Sequence, residues 1–323
     1  MKFRTEYRPL KSSLTLSPRK PLAAIGSCFT ENITTKMREA LWEAVNPFGA
    51  LYNPLSIARV LRMALLSYFP DRDFDKTLFL AGSKYHSWIL DSKFSAYGAP
   101  DSIAKFAQQR LQLSDALSKG ETLLVTFGTA WAYYLKETDK WPVGNCHKQP
   151  ANIFTRKRLT INEITTEWSS LIAELKKKIP AIQIIFTVSP VRHLKDGFEG
   201  NSRSKAILQI AVESLCNEFD CCYYFPAYEI LNDDLRDYRF YTTDLVHPSD
   251  EAIEYIWEIF KDSYLDNEGK DILSKGLKLS KALNHRPLPD ASILIPEKIR
   301  LEEESRLNSL EEELKKFKLD NRD

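Results

Sequence analysis

The stretch Pro21-Leu-Ala-Ala-Ile25-Gly26-Ser27-Cys28-Phe29-Thr30 decides the fold. An apolar run ends in a glycine, and a helix-like segment begins at the serine, the pattern of a strand that delivers a side chain to the rim of a sheet. Far downstream, Asp244-Leu-Val-His247 precedes a second helix-like segment. A serine hydroxyl is a weak nucleophile at neutral pH, so it needs a base within reach and an acid that fixes the base's tautomer. Ser27, His247 and Asp244 supply those three types. Taken singly, Ser27 reads as a helix N-cap and Asp-x-x-His as a solvated loop. Their joint occurrence in one α/β-patterned chain points to a serine hydrolase.

Outward from Ser27, apolar runs at 21–26, 42–48, 122–127, 182–188 and 221–225 alternate with longer helix-like stretches. Alternation of this kind predicts βαβ units and a mostly parallel five-stranded sheet. The runs Leu123-Leu-Val-Thr-Phe127 and Ile182-Gln-Ile-Ile-Phe-Thr-Val188 are apolar on both faces, as central parallel strands must be under helices on each side. Helical spacing is clearest in Ile57, Val60, Leu61, Ala64 and Leu65. In such folds ligands bind beyond the carboxyl ends of the strands. Ser27, Gly49, Gly128, the segment 189–193 and the segment 244–247 each follow a predicted strand, so five loops converge on one rim.

Composition sets the outer bounds. The chain has 323 residues, 43% of them hydrophobic, enough for one α/β domain with additions. Forty-five Lys and Arg oppose 44 Asp and Glu, a balance with no pull toward nucleic acid or a membrane surface. The opening residues lack the apolar core of a signal peptide and no segment is long and apolar enough to span a bilayer, so a cytoplasmic location is expected. Five cysteines do not make a disulfide framework. Cys216, Cys221 and Cys222 read as core thiols. Without Cys-x-x-Cys or His-Glu-x-x-His, neither a metal nor another cofactor is expected.

Gly26-Ser27-Cys28-Phe29-Thr30 resembles the signature that names the GSCFA family, with Thr30 where that name has Ala. The resemblance continues through Asn46-Pro-Phe-Gly49, Tyr52-Asn-Pro54, Phe127-Gly-Thr-Ala-Trp131, Asn145-Cys-His147, Thr187-Val-Ser-Pro-Val-Arg-His193 and Asp244-x-x-His247, covering roughly residues 20 to 260. GSCFA proteins are similar to SGNH (GDSL-type) hydrolases. That likeness implies a flavodoxin-like three-layer sandwich and ester hydrolysis, with Ser27 as nucleophile, His247 as base and Asp244 as its orienting acid. It also implies an oxyanion hole. The Ser27 N–H at a helix start is one expected donor. Asn46-Pro-Phe-Gly49 resembles the glycine-bearing second block, which makes Gly49 another. The third block has Ala130 where the SGNH asparagine belongs, so Asn145 or Thr129 is expected to replace it.

Around this core, Trp131, His147, Arg192 and His193 are expected to contact substrate, His147 and His193 also being rival bases. Cys28 is a rival nucleophile, since a thiolate at a helix start is reactive. Trp88 and Trp141 join Trp131 as candidate faces for sugar stacking. An acylated carbohydrate ester is the expected substrate; acyl transfer, or a non-catalytic glycan- or partner-binding module on the same rim, stays open. The long connections 70–98 and 129–159 are expected to serve as lids. The domain is placed at residues 1–265, followed by a charged helical extension at 266–323 with a break at Arg286-Pro-Leu-Pro289. In that tail Leu307, Leu310, Leu314 and Phe317 step at helical spacing, predicting a seam that packs on the domain or forms a homodimer.

Overall fold

The computed structural model of the protein describes residues 4–137, 141–284 and 297–320. In chain order, β1 (Leu22–Gly26) leads through α1 (Cys28–Glu39) to β2 (Ala44–Val45). Helices α2 (Pro54–Leu61) and α3 (Pro70–Asp75), the hairpin β3 (Leu78–Ala81) and β4 (Lys84–Ser87), and helix α4 (Ala99–Gly120) lead to β5 (Thr122–Phe127). Strands β6 (Trp131–Leu135), β7 (Pro142–Val143) and β8 (Phe154–Arg158) and helix α5 (Ile161–Lys178) precede β9 (Gln183–Val188). Then come α6 (Gly197–Glu218), β10 (Cys222–Phe225), the single turn α7 (Ala227–Glu229), α8 (Asp250–Tyr264), α9 (Asn267–Asn284) and α10 (Glu297–Asp320).

The central sheet has the order β10-β9-β5-β1-β2, and its described pairings are all parallel. In order of appearance the five strands lie 2-1-3-4-5, the flavodoxin-like arrangement, and the chain reverses direction across the sheet between β1 and β5. Successive side chains point to opposite faces. Ala23, Ile25, Leu123, Val125, Ile184 and Phe186 enter one core with Phe106, Leu117, Trp168 and Leu208. Leu22, Ala24, Leu124 and Ile185 enter a second core with Phe29, Ile33, Trp257 and Phe260. The two cores make the three layers.

Four of the expected strands agree with the observed ones to within a residue. The run at 42–48 pairs only at Ala44 and Val45. Trp42 leaves the ladder to bury its ring and donate its indole N–H to Lys20 O at 2.7 Å. The two long connections have hydrogen-bonded structure of their own: 70–98 holds α3 and the β3–β4 hairpin, and 129–159 folds as an antiparallel sheet β7-β6-β8.

Helix α9 is joined to the domain rather than trailing from it. Leu273 lies in the second core, and a Cβ at Gly276 would sit 2.2 Å from Ala40 O, so the helix meets the end of α1 where only a glycine fits. That same Cβ would be 3.2 Å from the Phe317 ring, which places α10 along α9. The predicted break at residues 286–289 lies outside the described residues. No described helix is long and apolar enough to cross a membrane.

Candidate active site

Ser27 stands at the N-cap position of α1, with φ −69° and ψ 173°. An N-cap serine normally accepts from an N–H one turn on. Ser27 makes no such bond: the residue is 1% exposed and its Oγ has no hydrogen-bond partner. The sheet holds it there. The β1–β5 ladder continues past the strand end, with the Ser27 N–H donating to Thr126 O at 3.1 Å. Gly26 adopts φ +145°, and a Cβ there would lie 2.3 Å from Thr126 O. Only glycine lets the backbone turn so tightly against β5.

The partner loop is built by the opposite means. Asp244 Oδ2 accepts from His247 Nδ1 at 2.6 Å, while Oδ1 accepts from the Thr242 hydroxyl, the Val246 N–H and the His247 N–H at 2.7–2.9 Å. Hydrogen bonds from the His247 backbone, the His247 ring and the neighbouring donors hold the Asp244 carboxyl well below the usual carboxylate range. With Nδ1 committed, Nε2 is the nitrogen left for chemistry. The loop closes through Thr242 N–H to His247 O at 2.8 Å, and Leu245 takes a left-handed φ of 59°. The His247 side chain is 50% exposed. Ser27 and His247 line one cavity of about 490 Å³, without a hydrogen bond between them. Cavities of about 440 and 460 Å³ lie elsewhere, so chemistry singles this one out, not size.

Two of the four expected oxyanion donors are otherwise engaged, and a third stands outside the cavity lining. The Ser27 N–H is spent on Thr126 O, because the parallel ladder runs one residue beyond β1. Gly49 does not line the cavity; Tyr52 and Asn53 stand there instead. Thr129 lines the cavity, but its N–H donates to Tyr52 O at 2.9 Å and its hydroxyl pairs with Ser204 Oγ at 3.1 Å. Asn145 lines the cavity and forms an Asx turn, its Oδ1 accepting from the His147 N–H at 2.7 Å. That bond uses the oxygen and leaves the amide N–H₂ as the group Asn145 can offer.

Each rival residue has its own surroundings. Burial raises the Cys28 thiol, against the N–H groups of Phe29 and Cys28 that pull it down, so the net shift is opposite to that of an activated thiolate. His147 is turned from the cavity. Its Nε2 meets Ser87 O at 2.7 Å and Leu90 O at 3.0 Å, and its ring packs on Phe79 and His86, so it pins the 145–147 loop to the hairpin. His193 does line the cavity, edge-on to Tyr52. Burial, helped by the Lys205 charge, pushes its imidazole down to about 4, which keeps it neutral. Trp88 stacks on Phe79 and Trp141 lies by Arg59, both outside the cavity lining. Trp131 lines it, with the Arg156 guanidinium 4.1 Å from its ring centroid. Arg192 lines it too, stacked 5.1 Å from the Tyr241 centroid.

Sequence reading missed Lys205 of α6. It is 1% exposed, and its Nζ donates to Gly128 O at 2.6 Å and Ser189 O at 2.7 Å, tying together the chain just past β5 and β9 beneath the cavity floor. Burial brings its ammonium down to about 7. A signal was present: Asn201, Lys205, Leu208 and Val212 step by four, three and four along the buried face of α6.

The GSCFA family profile matches residues 21–260, and the chain belongs to the GSCFA family. No curated protein matches it. Among solved structures it is similar to a GDSL-like lipase from Bacteroides thetaiotaomicron, at 13% identity over 76% of this chain and 87% of that one, with a TM-score of 0.38. It is also similar to an acylhydrolase candidate from Bacteroides fragilis, at 10% identity over 79% and 88% with a TM-score of 0.40. An acetyl xylan esterase from Butyrivibrio proteoclasticus matches at 11% identity over 80% and 64%, with a TM-score of 0.38.

Proposed function

We propose that this GSCFA protein is a serine esterase that acts through an acyl-Ser27 intermediate. The observation that carries the reading is the Ser27 hydroxyl: buried, uncapped and unbonded, it shares a cavity with a histidine whose far nitrogen is held by a carboxylate. A buried hydroxyl without a partner is destabilising, and a substrate-facing nucleophile is a physical reason to keep one. Ser27 Oγ attacks the ester carbonyl as His247 Nε2 takes its proton. Asp244 stabilises the imidazolium, and the Asn145 amide N–H₂ donates to the developing oxyanion. His247 then gives the proton to the departing alcohol, and water repeats the sequence to release the acid. Ser27 and His247 meet only as the exposed histidine closes on bound substrate; apo sites commonly leave this bond unmade.

The proposed substrate class is an acylated carbohydrate. The cavity lining combines the rings of Trp131 and Tyr133 with the Asn145 amide, groups that suit a sugar's apolar faces and hydroxyls. A fluorophosphonate should label Ser27 stoichiometrically in the wild type and leave Ser27→Ala unmodified, with hydrolysis of acetylated sugars and aryl acetates lost in parallel. Equal turnover by wild type and Ser27→Ala would sink the proposal.

A further inference from the structure

We propose that the ester taken by this site is anionic, and that Arg192 and Lys195 form a subsite for its carboxylate or phosphate beside Ser27. The inference rests on the reading of Ser27 as the nucleophile and adds the charge of what it attacks.

Four charged side chains line the cavity: Arg156, Arg192, Lys195 and Asp196. Asp196, its side chain 3% exposed, is ion-paired with Arg156, so these two cancel. Among the described residues, Arg192 and Lys195 have no carboxylate within 4.0 Å. In a chain where 45 basic residues face 44 acidic ones, two uncompensated cations on one cavity wall are a local feature, not a reflection of overall charge. The nearby Asp244 is already saturated by its own loop.

Both cations are held in place by aromatic rings. The Arg192 guanidinium lies 5.1 Å from the Tyr241 centroid and 5.8 Å from that of Tyr238. Stacking of this kind fixes the plane of the fork and leaves its N–H edge for a planar oxyanion. Lys195 Nζ donates to Tyr133 Oη at 2.7 Å, which anchors the ammonium while two further protons stay on it. Two more donors of cavity-lining residues, Trp131 Nε1 and Arg156 Nε, are buried without an acceptor. The wall is thus rich in donors and poor in acceptors. An oxyanion supplies acceptors and negative charge together.

The test uses two fluorophosphonates that differ only at the end of a short tail, one a carboxylate and the other its methyl ester. In the wild type the carboxylate probe should label Ser27 about ten-fold faster or more at low salt, and the ratio should fall toward one at high ionic strength, where such attraction is screened. In the double variant R192Q/K195Q the ratio should also fall toward one. A second pair with a phosphate tail identifies which oxyanion is preferred, and a preference in either pair supports the proposal. Equal labelling by charged and neutral probes in the wild type overturns it and leaves the esterase reading intact. Absence of labelling by either probe overturns the esterase reading itself. The wild-type ratio needs no variant, so a double variant that fails to fold leaves the test decisive.

Discussion

Ser27 and His247 reach the same cavity by opposite construction. Ser27 is 1% exposed, and its hydroxyl bonds to nothing; its position is dictated by the sheet, through Gly26 against Thr126 and the ladder that continues to its own N–H. The His247 side chain is half exposed, and Asp244 beside it accepts four hydrogen bonds from residues 242–247 alone. One partner is placed by long-range packing and left unsatisfied, the other by a self-sufficient loop. The difference teaches where precision resides: the Ser27 hydroxyl is fixed by the core of the domain, and the His247 ring is set by a loop that holds its own geometry.

Ser27→Ala makes the largest break in this comparison. Turnover should fall by roughly 10⁴–10⁶, since members of such a unit act together, and adding His247→Ala should slow it no further. The same substitution removes a buried unpaired hydroxyl, so stability should hold or rise by about 1 kcal/mol. A thermal melt that drops markedly would mean that Ser27 carries structure.

Asp244→Asn strikes the other side. Asparagine retains an acceptor for the loop N–H groups but no longer orients the ring as a carboxylate does, and turnover should fall by about 10²–10⁴ with an unchanged melt. Because Asp244 is held well below the ordinary carboxylate range, its charge is kept on acidification, and the contribution it makes is lost only as pH falls through that depressed value. An NMR titration that placed the Asp244 carboxyl in the range of an ordinary carboxylate would contradict this.

Asn145 sharpens the oxyanion side. Asn145→Asp keeps the oxygen that the His147 N–H uses and deletes the amide N–H₂, so it separates the turn from the donor. Turnover should drop about 10²–10³ with little change in KM, and placing Asn at Ala130 in that background should restore none of it, because Ala130 is buried in the first core and does not line the cavity. A near-normal rate would return Asn145 to its turn alone.

The last effect is on stability, not turnover. Lys205→Met leaves Gly128 O and Ser189 O without their donor, at about 1–3 kcal/mol for each group left unpaired. The folded chain holds the Lys205 proton only to about 7 against an ordinary 10.5. Between those values the unfolded chain binds more protons, so this group's contribution to stability rises with pH. Melts of wild type and variant should therefore diverge further on going from neutral to alkaline pH; a constant gap would mean that burial does not lower the Lys205 ammonium.

Much of this was legible in sequence because local pattern and global fold agree. The runs at 122–127 and 182–188 had to be central strands, being apolar on both faces, and Ser27 and the Asp244–His247 loop could be picked out by type and place. What escaped is set by partners distant in sequence. No local signal tells that the Ser27 N–H is taken by Thr126, that His147 turns to Ser87 and Leu90, or that Gly49 stops short of the cavity. Lys205 was hidden by its chemistry: a lysine on a helix reads as solvent-facing until the apolar stripe around it is followed.

The antiparallel sheet β7-β6-β8 has a consequence for how such a protein diverges. Trp131, Tyr133, Val143 and Arg156, on one wall of the cavity, all come from this single insertion, while Ser27 and His247 belong to loops of the parent sheet. Part of the cavity wall and the Ser27–His247 pair are therefore written in separate stretches of the gene. Exchanging strands β6 and β8 between relatives would change that wall while leaving Ser27, Asn145 and His247 in place.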